Sequence, residues 1–427
     1  MSQVLDDSNP RPRVVIVGGG FAGLETAKAL RHAPVQIILV DRRNHHLFQP
    51  LLYQVASATL SPADISTPIR HILRRQRNVE VRLGEVGCVD LASRQVRFTE
   101  GDILPYDHLV LATGACHSYF GKDGWSSHAP GLKTLEDALT IRRRFLLSFE
   151  RAELEPDPIK RQELLTYVVV GGGPTGVELA GTLKEMARLT LPGEFRRIHA
   201  ECARVVLVEA GAHILPTFGE GLSGKARHSL ESIGVEVRTG EAVTNVDAHG
   251  VTVGGERIAA HTVIWAAGVE ASPLGRCLGV PLDRAGRVIV EPDLSIPGHP
   301  EVFALGDMAS FTHGRRSPLP GLGPVAIQQG RAAAGNLLAS LRGAPRAPFR
   351  FKDRGTMATI GRGSAIAQWG PIRMSGSLAW IAWLFIHLML LVGFRNRLAV
   401  FLEWLFAYVS TQRRVRLILN AQADGTS

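Results

Sequence analysis

Two glycine clusters are the first places in this chain where residue type and spacing could do chemistry. Gly18, Gly20 and Gly23 follow an apolar run, Arg13 to Val17, and precede a stretch of helical spacing from Leu24 to Leu30. A glycine turn between strand and helix lets the backbone approach a pyrophosphate, and the helix start offers free N–H groups and a positive dipole end. Asp41 closes the next apolar run, Val35 to Val40, where a carboxylate can accept from ribose hydroxyls. The arrangement returns at Gly171, Gly173 and Gly176, after Tyr167 to Val170, with Glu209 closing the run Arg204 to Val208. A carboxylate at Glu209 would repel a 2′-phosphate, so the second copy favours NADH over NADPH.

Each copy has a later apolar run that ends in small residues. These are Leu109 to Leu111, leading to Thr113 and Gly114, and Val263 to Trp265, leading to Gly268. A third, Val302 to Leu305, ends at Gly306 and Asp307, which can reach a flavin's ribityl chain. Two dinucleotide-binding units imply two dinucleotides, and the chemistry they permit is hydride transfer from nicotinamide to flavin.

The elements that must position these residues are two βαβ units of a duplicated α/β fold. The chain has 427 residues, enough for two or three cores. The charged segment from Glu150 to Gln162, with Pro156 and Pro158, reads as the linker between the copies. Lys and Arg total 48 against 39 Asp and Glu, a net charge of +9 that suits anionic cofactors or an anionic membrane surface. No nucleic-acid recognition module accompanies the charge, so nucleic acid is not an expected partner. Cys88, Cys116, Cys202 and Cys277 lie too far apart in sequence for a metal-ligand or redox-pair motif, and no metal is expected. The first residues carry no apolar signal segment.

The tail differs in character. Ser375 to Phe394 holds no Asp, Glu, Lys or Arg, and Leu398 to Val409 has Glu403 as its one charge. The first run is long enough to span a bilayer. Yet Arg395, Arg397, Arg413, Arg414 and Arg416 follow it, on the side that would be exported. The expectation is therefore a pair of segments dipping into one leaflet, with Arg395 and Arg413 to Arg416 at anionic headgroups. Trp380, Trp383, Trp404 and Tyr408 would lie at the interface.

Over nearly its whole length the chain resembles the type II NADH dehydrogenases, the single-subunit NADH:quinone oxidoreductases. The glycine-rich pieces GGGFAGLETA (Gly18 to Ala27), GGGPTGVELAG (Gly171 to Gly181), WAAGVEASPL (Trp265 to Leu274) and ALGDMA (Ala304 to Ala309) are common to all two-dinucleotide reductases. FQPLLYQVAS (Phe48 to Ser57), AIQQGRAA (Ala326 to Ala333) and GTMATIGR (Gly355 to Arg362) are more specific, and the match continues through GFRNR (Gly393 to Arg397). The resemblance implies a two-dinucleotide flavoprotein fold: two Rossmann-like domains plus a membrane-associated helical segment. It assigns residues 1–150 and 290–350 to an FAD-binding domain, 163–285 to an NADH-binding domain and 351–427 to the membrane-anchoring region.

The implied enzyme is a non-electrogenic NADH dehydrogenase of the respiratory chain. It passes hydride to FAD and electrons to a membrane quinone, peripheral to the cytoplasmic face of the membrane and able to form a homodimer. The family's PTGVE glutamate falls on Glu178, near nicotinamide and flavin, and its glutamine pair falls on Gln328 and Gln329, with Ala326 alongside. Two departures stand out. The family's earlier glutamine is Pro324 here, and its lysine before the GxMAxIG run is Arg354, which keeps the charge but not the proton-donor chemistry of an amine. The alternatives are a sulfide:quinone-type flavin reductase, which needs cysteines beside the flavin, and an NADH-binding redox sensor.

Overall fold

The computed structural model describes residues 11–410 and 415–418. The chain forms two compact units. One comprises the residues up to Leu47, Thr67–Cys116 and Val269–Lys352, and the other Phe48–Ser66, His117–Gly268 and the residues from Asp353 onward. Residues 48–66 and 117–150, set in the FAD-binding domain above, thus pack within the second unit.

In the first unit the run Arg13–Val17 is a strand buried from Val14 to Val17, as its continuous apolar character requires of a central parallel strand. It pairs in parallel with Gln36–Asp41 on one side and His108–Leu111 on the other. The six-stranded sheet runs Ser295–Ile296, His299–Ala304, His108–Leu111, Arg13–Val17, Gln36–Asp41, Val79–Leu83. Only the outer pair, Ser295–Ile296 with His299–Ala304, is antiparallel. Helices Phe21–Ala29 and Gly323–Leu341 cross at Gly330, where a Cβ would sit 2.4 Å from the Ala22 carbonyl oxygen. Thr26 Oγ1 donates to the Gly330 carbonyl at 3.2 Å, tying the QQG segment to the first helix.

The second unit repeats the plan with four parallel strands, Val235–Thr239, Arg204–Glu209, Thr166–Val170 and Thr262–Trp265. The expected linker from Glu150 to Gln162 is almost wholly helical. Helix Leu135–Leu154 runs through its first residues, and helix Pro158–Leu164 starts with Pro158 in its first turn. Asp157 caps that helix by accepting the Ile159 N–H at 2.9 Å, so proline and charge mark a helix start here, not a flexible connection.

Strands Thr356–Gly361, Ser364–Trp369 and Ile372–Gly376 form an antiparallel sheet ahead of the tail. The first of these lies against helix Pro174–Glu185 at Gly181, where a Cβ would fall 2.0 Å from the Ile360 carbonyl oxygen. The uncharged run Ser375–Phe394 is divided: it ends that sheet, forms helix Ser377–Leu390, and turns extended at Leu391 before helix Phe394–Ser410. Fourteen helical residues reach about 21 Å, short of a hydrocarbon core of about 30 Å. Among the described residues no helix is long and apolar enough to cross a membrane.

Gly181→Ala tests the strand-on-helix contact. Helix propensity favours alanine by about 1 kcal/mol, but a methyl group pressed into a backbone carbonyl costs more. The variant should lose roughly 2 kcal/mol of stability. An unchanged or raised melting temperature would show that the strand does not approach so closely.

Candidate functional site

The glycine loops of the two units are built alike. A Cβ at Gly18 would meet the Ala112 carbonyl oxygen at 2.3 Å, and one at Gly23 the Gly18 carbonyl oxygen at 1.9 Å. At Gly171 the clash is with the Ala266 carbonyl group at 2.5 Å, and at Gly176 with the Gly171 carbonyl oxygen at 1.9 Å. The middle glycines differ. Around Gly20 and Gly173 no protein atom beyond the glycine and its own chain neighbours lies within 4 Å of the Cβ position. Internal packing therefore explains the first and third glycines of each triplet, whereas the middle one leaves a cradle that a side chain would fill. Gly20 and Gly173 are also the N-cap residues of helices Phe21–Ala29 and Pro174–Glu185, and neither helix start has a side-chain cap. Two helix starts rich in N–H donors face open cradles, which fits a dinucleotide pyrophosphate at each.

The strand-end acids hold these loops. Asp41 accepts the Gly19 N–H at 2.6 Å through one oxygen and the Arg43 N–H at 2.7 Å through the other. Glu209 accepts the Gly172 N–H at 2.6 Å and the Gly211 N–H at 2.7 Å. Each carboxylate oxygen keeps acceptor capacity for a ribose hydroxyl. The carbonyl of the same loop residue is held as well. His46 Nδ1 donates to the Gly19 carbonyl at 3.0 Å, and the Leu215 N–H donates to that of Gly172 at 2.7 Å. Burial keeps the His46 imidazole below its ordinary pKa and so neutral near pH 7. Sequence reasoning missed His46, since one histidine in a His-His pair carries no motif.

The remaining residues expected at the first cradle gather in the first unit. A Cβ at Gly18 would lie 3.1 Å from the Thr113 nitrogen, and Thr113 Oγ1 donates to Met308 Sδ at 2.9 Å. Gly114 follows at φ +70°. Gly306, at φ +67°, lies beside Ala326 and Ala22, and Gln329 accepts its N–H at 2.7 Å through Oε1. Asp307 lies next to it against Gly321, where a Cβ would come within 2.8 Å of Oδ1. Gln329 is buried, but Gln328 turns the other way. Its amide donates to the Lys352 carbonyl and accepts the Lys352 N–H, both at 3.0 Å, and so clamps the segment after the helix.

The second unit holds Gly268, Glu178 and Arg354. Gly268 admits Phe120 and the Ser118 carbonyl, either of which a Cβ would crowd below 3.0 Å. Arg354 is exposed. Glu178 is in the second turn of its helix, past the reach of a helix-start role, and is buried at 8% exposure. Its Oε1 accepts the Thr359 N–H at 3.3 Å, from the strand of the GTMATIG segment. Burial dominates and pushes its carboxyl up to about 8, against a smaller opposing effect of that hydrogen bond. At neutral pH the site thus holds a protonated carboxyl able to donate.

The tail helices dock on the FQPLLYQVAS segment within the same unit. Trp404 Nε1 donates to Gln54 Oε1 at 2.7 Å, and Gln54 Nε2 donates to the Tyr53 hydroxyl at 2.9 Å. Asn396 Nδ2 donates to the Ser66 carbonyl at 3.4 Å. Trp383 was expected at a membrane interface, but it is 1% exposed and stacks on His387 at 4.3 Å. Its ring serves as core for the helix, while Trp380 packs against Tyr408 at 5.4 Å. Leu378, Ile381, Phe385 and Met389 on one helix, and Phe401 and Leu402 on the other, are exposed. Arg413 and Arg414 lie outside the described residues.

A family model for pyridine nucleotide-disulphide oxidoreductases matches residues 12–330, and one for the NDH2 C-terminal domain matches residues 354–414. Type II NADH:quinone oxidoreductase Ndh of Mycobacterium tuberculosis is 46% identical over 97% of this chain and 91% of its own. Demethylphylloquinone reductase NdbB of Synechocystis is 31% identical over 93% of this chain and 96% of its own. The solved structure of NDH2 from Plasmodium falciparum in complex with NADH shares the fold. Its TM-score is 0.87 at 20% identity, covering 95% of this chain and 99% of that one.

Glu178 generates a pH prediction. The folded protein retains a proton that the unfolded chain has released, so this group's contribution to stability is complete below about pH 4.5 and is lost as pH rises through about 8. Glu178→Gln should remove a slope of up to about 1.4 kcal/mol per pH unit across that window. Urea denaturation at several pH values checks this, and parallel profiles for the two proteins would refute the buried proton.

Proposed function

The chain belongs to the type II NADH:quinone oxidoreductase family, and from that membership we infer that it transfers hydride from NADH to a resident FAD and two electrons onward to a membrane quinone, without pumping protons. The observation that carries this reading is the duplicated cradle: two uncapped helix starts, each with an open middle glycine and a loop held by a strand-end carboxylate.

In this reading Gly18, Gly20, Gly23 and Asp41 hold the FAD pyrophosphate and ribose, with Thr113, Gly114, Gly306, Asp307 and Ala326 along the rest of the cofactor. Gly171, Gly173, Gly176 and Glu209 hold NADH, and Gly268, which packs against Phe120 and the Ser118 carbonyl, shapes the strand end beside it. Bound FAD supplies the two-electron chemistry that links a hydride donor to a quinone. Glu178 presents a neutral carboxyl on the NADH-binding unit, which orients the nicotinamide carboxamide by donating and keeps a proton in store at Oε. Gln329 fixes the Gly306 peptide and with it the approach of Asp307. Gln328 acts through Lys352 and orders the way out of the helix, and the exposed Arg354 attracts the anionic phosphates of the incoming nucleotide.

The exposed apolar faces of helices Ser377–Leu390 and Phe394–Ser410 lie in the headgroup region of the cytoplasmic leaflet, where quinone is drawn from the bilayer.

The two cradles should separate by mutation. Gly20→Ala should weaken flavin retention about tenfold or more, and Gly173→Ala should raise the KM for NADH to a similar extent with flavin content unchanged. Flavin absorbance and stopped-flow reduction by NADH, followed by reoxidation with a soluble quinone, make the check. Loss of both cofactors in either variant, or of neither, would contradict the assignment. Independently, Phe385→Glu combined with Leu402→Glu should lower co-sedimentation with anionic vesicles at least about tenfold. Turnover of a water-soluble quinone should stay within about twofold, and undiminished sedimentation would place the membrane surface elsewhere.

A further inference from the structure

Cys88 and Cys277 are separated by 189 positions in sequence yet meet in the first unit. Cys88 lies on strand Val86–Asp90 of the antiparallel ribbon formed with Gln95–Phe98 and Ile103–Pro105. Cys277 ends the short helical turn Pro273–Cys277. Cys88 Sγ is 3.9 Å from the Cys277 carbonyl oxygen, which sets the two side chains side by side. Both are unbridged; Cys88 is half-buried and Cys277 exposed, so small reagents can reach the pair. No residue of the ribbon or of the turn serves the two cradles.

We propose that Cys88 and Cys277 form a dithiol modification site that reacts with a peroxide and closes into an intramolecular disulfide. Burial and the neighbouring Cys88 sulfur push the Cys277 thiol up to about 11. The Cys88 sulfur attacks one oxygen of hydrogen peroxide, the O–O bond breaks, and a sulfenic acid and one water result. The Cys277 sulfur then attacks Cys88 Sγ, the S–O bond breaks, and a second water leaves with the Cys277 proton. Two thiols and one peroxide become one disulfide and two waters. The bond would staple the ribbon to the turn and close a long loop of chain.

The test is peroxide titration of the flavin-loaded full chain, then thiol blocking, proteolysis and mass analysis. A peptide linking Cys88 to Cys277 should appear, with two hydrogens lost from the intact mass and two of the four thiols no longer alkylated. The oxidised protein should melt roughly 5 °C higher, and dithiothreitol should reverse both changes. Cys277→Ser should abolish the link and leave Cys88 as a sulfenic acid that dimedone captures. Cys116→Ser and Cys202→Ser should leave the link intact. If a serine variant does not fold, the linked peptide from the unaltered chain decides alone. Continued alkylation of Cys88 and Cys277 at peroxide doses that oxidise exposed Cys202, or pairing of Cys88 with another cysteine, would overturn the proposal.

Discussion

The bond from each strand-end carboxylate to the glycine loop is the constraint on which both glycine-loop cradles rest. A glycine-rich turn has unusual conformational freedom and, left alone, would not hold one shape. Asp41 and Glu209 each take one loop N–H at 2.6 Å, while His46 in one unit and the Leu215 backbone in the other hold the carbonyl of the same residue. One residue per loop, Gly19 or Gly172, is thus pinned at both its backbone polar groups. The packing of the first and third glycines against backbone then leaves the middle one as the open side of the cradle.

The second unit adds a different device, a carboxyl kept neutral by its surroundings. Glu178 is covered because strand Thr356–Gly361 comes down on its helix, and that approach depends on the absence of a side chain at Gly181. The same strand supplies the Thr359 N–H, a single neutral donor that offsets too little of the burial cost to favour a charge. The C-terminal sheet is therefore part of what sets the protonation of a residue far earlier in the sequence.

Much of the fold was legible because it is written locally. The runs Arg13–Val17 and Tyr167–Val170, each followed by three spaced glycines and a distal acid, state strand, turn and helix within a few tens of residues. What was not legible depends on partners remote in sequence. Nothing near Glu178 announces Thr359, and nothing near Gln328 announces Lys352. Cys88 and Cys277 carry no spacing motif, although the fold brings them together. The stretch Glu150 to Gln162 misleads for the opposite reason: Pro156, Pro158 and dense charge look like a linker until Asp157 is seen to cap a helix. Trp383 misleads because an aromatic ring in an apolar run suits a membrane surface as well as it suits a core.

The uncapped helix starts have a consequence for how the protein behaves through time. A side-chain cap stays with the helix, whereas here that duty falls to whatever molecule fills the cradle. In the proposed reading a resident cofactor would relieve the first helix of its idle donors for the life of the protein. In the proposed reading the second helix would gain and lose the same relief each time a nucleotide arrives and departs, so each catalytic cycle would briefly tighten and then loosen the start of that helix. The two halves of a duplicated architecture would thereby acquire different rhythms, one steady and one pulsed, from the same local design.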